Sequence, residues 1–179
     1  MATILLIDDH PIVLTGLKNL LTAKYHYNIL TADTTDKAMA TALSHPEIDL
    51  LVCDLSLDKS SDGLELIERL RSRGFNRPTV VYTMHEEMWN IVNIEKAKVE
   101  GVVLKGDDVG ELLKAVETVL ADGKYVSPSF ERQRMTALQG TAGLLSTTDI
   151  SVLERIANGE NNQEISEALH LSIKSIEYH

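Results

Sequence analysis

Five short apolar runs recur along the first two thirds of the chain, each followed by a segment of helical period. That alternation restricts the fold more than any other feature. The runs are TILLI (3–7), YNILTA (27–32), DLLVC (49–53), TVVYT (79–83) and GVVLK (101–105). They are continuous rather than alternating, so both of their faces must be covered. Between them Pro11 opens an amphipathic helix carrying Ile12, Leu14, Leu17, Leu20 and Leu21. Further helices are expected over 35–45, 63–73, 86–97 and 109–123, with stops near Pro46, at Gly74 and at Gly123. A strand–helix unit repeated five times predicts an α/β fold, a parallel sheet with helices on both sides.

Residues 124–144 break the alternation, punctuated by Pro128, Gly140 and Gly143. They read as a linker with one short helix around 130–138. Residues 145–179 resume helical spacing. Ser146 suits an N-cap, Asp149 suits the first turn, and Ile150, Leu153 and Ile156 space an apolar face up to Gly159. NQEISEAL (162–169) is a second short helix, and Ser172 can cap a third that runs to His179. Short helix, turn and helix make a helix-turn-helix pattern.

The single cysteine, Cys53, rules out an internal disulfide framework and fits an intracellular, cytoplasmic place; as a residue it reads as a small buried hydrophobe. No apolar run approaches the ~20 residues needed to span a bilayer, and the acidic opening MATILLIDDH reads as a strand rather than a signal peptide. The net charge of −10 is uneven. Residues 1–123 hold 12 basic and 20 acidic side chains, against 5 and 7 in 124–179. The first part is therefore unsuited to nucleic acid, and the second neither suited nor excluded.

In an open parallel sheet, ligands bind beyond the carboxyl ends of the strands. Here those ends carry Asp8 and Asp9, then Asp54, then Thr83, then Lys105. Singly each is ordinary; Asp33 also follows a strand and is assigned nothing. Together they place three carboxylates, a hydroxyl and an ammonium on one edge. Clustered carboxylates call for a hard cation, and Mg²⁺ is the one that commonly bridges carboxylate and phosphate. Lys105 and Thr83 would serve the remaining oxygens of a phosphoryl group. Asp54, alone on a central strand, is the candidate nucleophile for an aspartyl-phosphate, with Asp8 and Asp9 as metal ligands.

With these motifs in place, the sequence resembles a two-component response regulator. A receiver domain would cover about 1–123, a linker 124–144 and part of a LuxR-type helix-turn-helix 145–179. DDHPIVLTGLKNLL is the usual opening of the NarL/FixJ class. The resemblance implies a flavodoxin-like (βα)5 receiver, followed by a small all-α domain. It implies phosphoryl transfer to Asp54 from a cognate histidine kinase, and Mg²⁺ held by Asp8, Asp9, Asp54 and the backbone carbonyl of Ser56. Thr83 and Lys105 would contact the phosphoryl group and relay the change. A homodimer binding DNA is the expected output, with Lys174, Ser175 and Tyr178 at the DNA.

Several positions depart from that pattern. Gly106 follows Lys105 where the family usually has Pro, Val102 stands where an aromatic switch is usual, and the loop LDKSSDG is long. These features resemble the RcsB-like branch, some of whose members act with auxiliary partners or without phosphorylation. A receiver working as a phosphorylation-independent interaction module is therefore the alternative. An enzyme such as a Mg²⁺ phosphatase needs a second general acid two residues beyond the nucleophile; position 56 is Ser, so no enzyme is expected. A LuxR-type unit carries a full recognition helix and a fourth helix, whereas this sequence reaches His179 inside the recognition helix. Weak or absent DNA binding is expected of these residues. His10 reads as a local contact at a helix start, Met88 and Trp89 as partner surface or helix packing, and Arg132 and Arg134 as a solvated face.

Overall fold

The structure, a computed structural model, describes residues 1–58, 61–84, 88–144, 147–157, 159–169 and 171. It falls into two compact units, Met1–Arg134 and Met135–His179.

The first unit is built on a parallel sheet. Its strands are β1 (Thr3–Ile7), β2 (Asn28–Ala32), β3 (Leu50–Cys53), β6 (Thr79–Thr83), β7 (Gly101–Leu104) and β8 (Tyr125–Val126). They lie in the order β2-β1-β3-β6-β7-β8, every pairing parallel. The first five give the flavodoxin-like order expected of the (βα)5 fold. The helices are α1 (Pro11–Tyr25), α2 (Thr35–Ser44), α3 (Gly63–Ser72), α4 (Met88–Ala97) and α5 (Val109–Leu120). Successive strand side chains point to opposite faces. Ile4, Leu6, Leu50, Val52, Val80 and Val103 form one core layer with Leu14, Leu17 and Leu21 of α1 and Leu112, Val116 and Val119 of α5. Leu5, Ile7, Leu51, Cys53 and Val81 face the other way and are also buried, which accounts for the unbroken apolar runs.

Helix ends follow local chemistry. Gly74, at φ +85°, closes α3: its N–H reaches the Arg71 carbonyl at 2.9 Å, and Phe75 N–H reaches Leu70 at 3.0 Å. The expected stop of α5 at Gly123 is corrected. The helix ends at Leu120, and Asp122 takes the left-handed conformation at φ +60°, which Asp tolerates.

Three elements depart from expectation. A two-stranded antiparallel hairpin, β4 (Ser56–Asp58) with β5 (Ser61–Asp62), forms in the long loop after β3. The short β8 exists only as an addition to the β7 edge, pairing Gly101 with Tyr125 and Val102 with Val126. The expected short helix is α6 (Pro128–Leu144), 17 residues long. Its glycines cost helix stability without ending the helix. Buried Phe130 and the ion pairs of Arg134 with Glu131 and Glu95 hold its start. Arg134 thus ties the helix to α4 while remaining partly exposed, and Arg132 is exposed as expected.

In the second unit lie α7 (Thr147–Ala157) and α8 (Asn162–Leu169). Asn161 and Glu164 form a reciprocal cap: Asn161 Oδ1 accepts from Glu164 N–H at 3.1 Å, and Glu164 Oε2 from Asn161 N–H at 2.8 Å. Val152 and Ile165 are buried together against Leu169 and Leu171. The expected apolar face of α7 is therefore corrected in part: Leu153 and Ile156 are 48% and 51% exposed and Val152 does the packing, while the Ile150 side chain lies outside what the structure describes. The Ser146 cap and everything from Ser172 onward, including Lys174, Ser175 and Tyr178, lie outside the described residues. No helix among the described residues is long and apolar enough to cross a membrane.

Candidate functional site

The sheet's hydrogen-bond ladder runs one residue past its strands at the carboxyl edge, and this positions the charged side chains. Asp8 N–H donates to the Ala32 carbonyl at 3.1 Å, Asp54 N–H to Ile7 at 2.9 Å and Lys105 N–H to Thr83 at 2.8 Å. Each residue therefore has a backbone fixed by a core strand and a side chain just beyond it. Asp8 and Asp54 are each only 3% exposed. Thr83 is fully buried, and its register partner on β7, Leu104, immediately precedes Lys105.

Lys105 organises the cluster. Its Nζ lies 2.7 Å from Asp8 Oδ2 and 2.6 Å from Asp54 Oδ2, with its side chain 7% exposed. Burial alone would lower its pKa, but the hydrogen bonds and charges of Asp54 and Asp8 outweigh it and hold the ammonium above the ordinary lysine value. Two buried carboxylates share this one cation. Asp54 Oδ1 is buried with no hydrogen-bond partner among the described residues. An unpaired charged oxygen of this kind costs stability unless something arrives to occupy it.

Asp9 stands at the exposed rim beside His10. The His10 Nδ1 is 2.6 Å from Asp9 Oδ1 and 3.1 Å from Asp8 Oδ1, and its backbone N–H donates to Asp8 Oδ1 at 2.9 Å. Asp8, Asp9, His10 and Asp54 each offer a ligand atom, all within 4.8 Å of one another. Three carboxylates in that space suit an oxygen-preferring divalent cation, and the unpartnered Asp54 oxygen fits the same demand. Ser56 begins β4, two residues past Asp54. The side chains of Met88 and Trp89 lie outside what the structure describes.

Gly63 escaped the sequence reading. A Cβ there would stand 2.1 Å from the Asp54 carbonyl oxygen and 2.8 Å from Leu55 Cα, and Gly63 N–H donates to the Leu55 carbonyl at 2.8 Å. The start of α3 thus packs directly on the loop carrying Asp54. The available signal was a glycine at the head of a strongly amphipathic helix, where propensity disfavours it.

Residues 4–117 match the family of response regulator receiver domains, and residues 143–179 match the luxR family of bacterial regulatory proteins. The nitrate/nitrite response regulator NarP of Escherichia coli is 25% identical, over 98% of this chain and 84% of its own length. ComA of Bacillus subtilis, a transcriptional regulatory protein, is 27% identical, over 99% and 87%. A solved structure of RcsB from Salmonella enterica serovar Typhimurium, bound to a promoter in the presence of the phosphomimetic BeF3-, superposes with a TM-score of 0.71. It shares 28% identity and is covered over 98% of this chain and 86% of that one.

Proposed function

The chain belongs to the response-regulator family, a receiver domain joined to a luxR-type DNA-binding region that regulates transcription, and from that premise we propose that Asp54 accepts a phosphoryl group from a histidine kinase. The observation that carries this is the buried Asp54 Oδ1, without a hydrogen-bond partner among the described residues, beside a lysine already bonded to Asp54 Oδ2. In the transfer, an Asp54 oxygen forms the new bond to phosphorus as the phosphorus–nitrogen bond of the kinase phosphohistidine breaks. The departing imidazole takes up a proton. Lys105 would neutralise the added charge, and Thr83 would donate its hydroxyl to a phosphoryl oxygen. Asp8, Asp9, Asp54 and the Ser56 carbonyl would hold Mg²⁺, which supplies charge neutralisation for the phosphoryl oxygens when bound.

Residues 1–123 would be the phosphoacceptor unit, 124–144 the connection and 145–179 part of the DNA-binding unit, working in the cytoplasm. The output would be dimerisation and binding of two half-sites about 34 Å apart, with Lys174, Ser175 and Tyr178 at the DNA. A second reading, a module acting with protein partners irrespective of phosphorylation, is favoured by one feature. Val102, buried in β7, leaves no aromatic side chain at the position where the family couples Thr83 to the surface.

Acetyl phosphate with Mg²⁺ tests the first reading by intact mass. A labile adduct of ~80 Da on wild type, absent from Asp54→Asn, is the expected result. No adduct on either chain would transfer the weight to the second reading.

A further inference from the structure

Asp107 lies two residues beyond Lys105 and takes no part in the acidic cluster. Its surroundings follow from how β7 loses its outer neighbour. Along that edge the even-numbered residues face β8. Tyr125 N–H donates to the Glu100 carbonyl, and Ser127 N–H to the Val102 carbonyl, each at 2.9 Å. The next group on that side is Leu104 N–H. Continued pairing would give it a carbonyl from the outer strand, but β8 ends at Val126 and Pro128 opens α6. The Asp107 carboxylate takes the vacant role: Oδ2 accepts from Leu104 N–H at 3.2 Å, while Asp107 N–H donates to the Leu104 carbonyl at 3.0 Å.

The other Asp107 oxygen accepts from the Ser129 hydroxyl in the first turn of α6. The hydroxyl of buried Ser127, 3.4 Å from that of Ser129, joins the group. Ser127 in turn accepts Phe130 N–H on its side chain and Glu131 N–H on its carbonyl, at 3.4 and 3.0 Å. Burial would raise the Asp107 carboxyl, but the donors Ser129, Ser127 and Leu104 N–H, with the charge of Arg132, hold it below the ordinary carboxylate value. A single carboxylate therefore joins the last residue of β7 to the first turn of α6.

We propose that Asp107 is a latch that fastens the start of α6 to the strand end bearing Lys105, so that a change in what Lys105 holds reaches the helix leading toward Met135–His179. Its physiological trigger rests on the phosphoacceptor role proposed for Asp54. Lys105 is tied by its backbone to Thr83 and by its ammonium to Asp8 and Asp54. A phosphoryl group on Asp54 competes for that ammonium, and the tight turn from Leu104 to Asp107 passes any backbone shift to the carboxylate. A coupling of this kind is reciprocal: freeing α6 also changes the Lys105 end.

Hydrogen exchange over residues 125–134 of the full chain tests the latch, with and without Mg²⁺ and beryllofluoride, beside the acetyl phosphate assay. Wild type should change its exchange there on loading. Asp107→Ala and the milder Ser129→Ala should exchange faster without ligand, on the order of tenfold for loss of a hydrogen bond to a charged group. Both should lose the loading response and still form the adduct. A loading response of wild-type size in both variants overturns the latch, as does a wild type that takes the adduct with no change in 125–134. A wild type that takes no adduct removes the phosphoacceptor reading alone, and Lys105→Met then decides the latch. Faster exchange over 125–134, absent in an Asp107→Ala background, supports it; unchanged exchange overturns it.

Discussion

At the amino end of the central sheet, charged side chains bind fixed backbone groups; around Lys105 at the carboxyl end they bind mainly one another. Asp49 accepts from Thr3 N–H at 2.9 Å, and Glu100 accepts from Thr79 N–H at 2.8 Å, each closing the start of a strand. Arg77 donates to the Pro46 carbonyl at 2.8 Å, and Arg71 donates to the Ala97 and Lys98 carbonyls at the end of α4. These are charges matched to partners that cannot leave. At the other end Lys105 divides itself between Asp8 and Asp54, and one Asp54 oxygen has no hydrogen-bond partner among the described residues. A set of charges held mainly by mutual attraction is one that an incoming cation or phosphoryl group can rearrange. The difference separates charge that serves the fold from charge available for chemistry.

Variants at the two ends should therefore fail in different ways. The largest effect is expected at Gly63, where both properties meet. Gly63→Ala forces a methyl group against the Asp54 backbone, costing about 3 kcal/mol in a urea melt and reducing the acetyl phosphate adduct. Glu100→Ala should cost about 1–3 kcal/mol by leaving Thr79 N–H unsatisfied, with the adduct undiminished. Loss of the adduct in Glu100→Ala would break the comparison. Asn161→Ala should cost only about 1 kcal/mol for its cap, read as reduced helicity by circular dichroism, again with no effect on the adduct.

The smallest effect is a pH dependence. The Tyr125 hydroxyl is pushed up to about 12 by burial and by Glu111, which accepts a hydrogen bond from it and adds negative charge. Its folded value exceeds the unfolded one, so its contribution to stability is complete below pH ~10. The contribution is lost as the pH climbs toward about 12. Tyr125→Phe should flatten that alkaline limb of the stability curve.

How much was legible in the sequence follows from what each feature depends on. The five core strands were readable because double-faced burial writes itself as unbroken apolar runs, and strand polarity then put Asp8, Asp54, Thr83 and Lys105 at one edge. β8 was not readable: two residues carry no period, and they become a strand only against β7. α6 looked like a linker because its glycines suggested stops, while the ties of Phe130 and Arg134 that hold its start are tertiary. The face of α7 was misread because Val152 and Leu153 are adjacent and equally apolar, and only the position of Ile165 distinguishes them. Asp107 was invisible for the same kind of reason, since its role depends on where the outer strand stops.

The central claim, that the buried Oδ1 of Asp54 is there to receive a phosphoryl group, is tested most directly by locating the adduct. Borohydride reduces an acyl phosphate to an alcohol, so trapping after acetyl phosphate treatment converts the modified aspartate to homoserine. Peptide sequencing by mass spectrometry should then find homoserine at position 54 alone. Homoserine at Asp8 or Asp9, or none at all with Mg²⁺ present, would contradict the account.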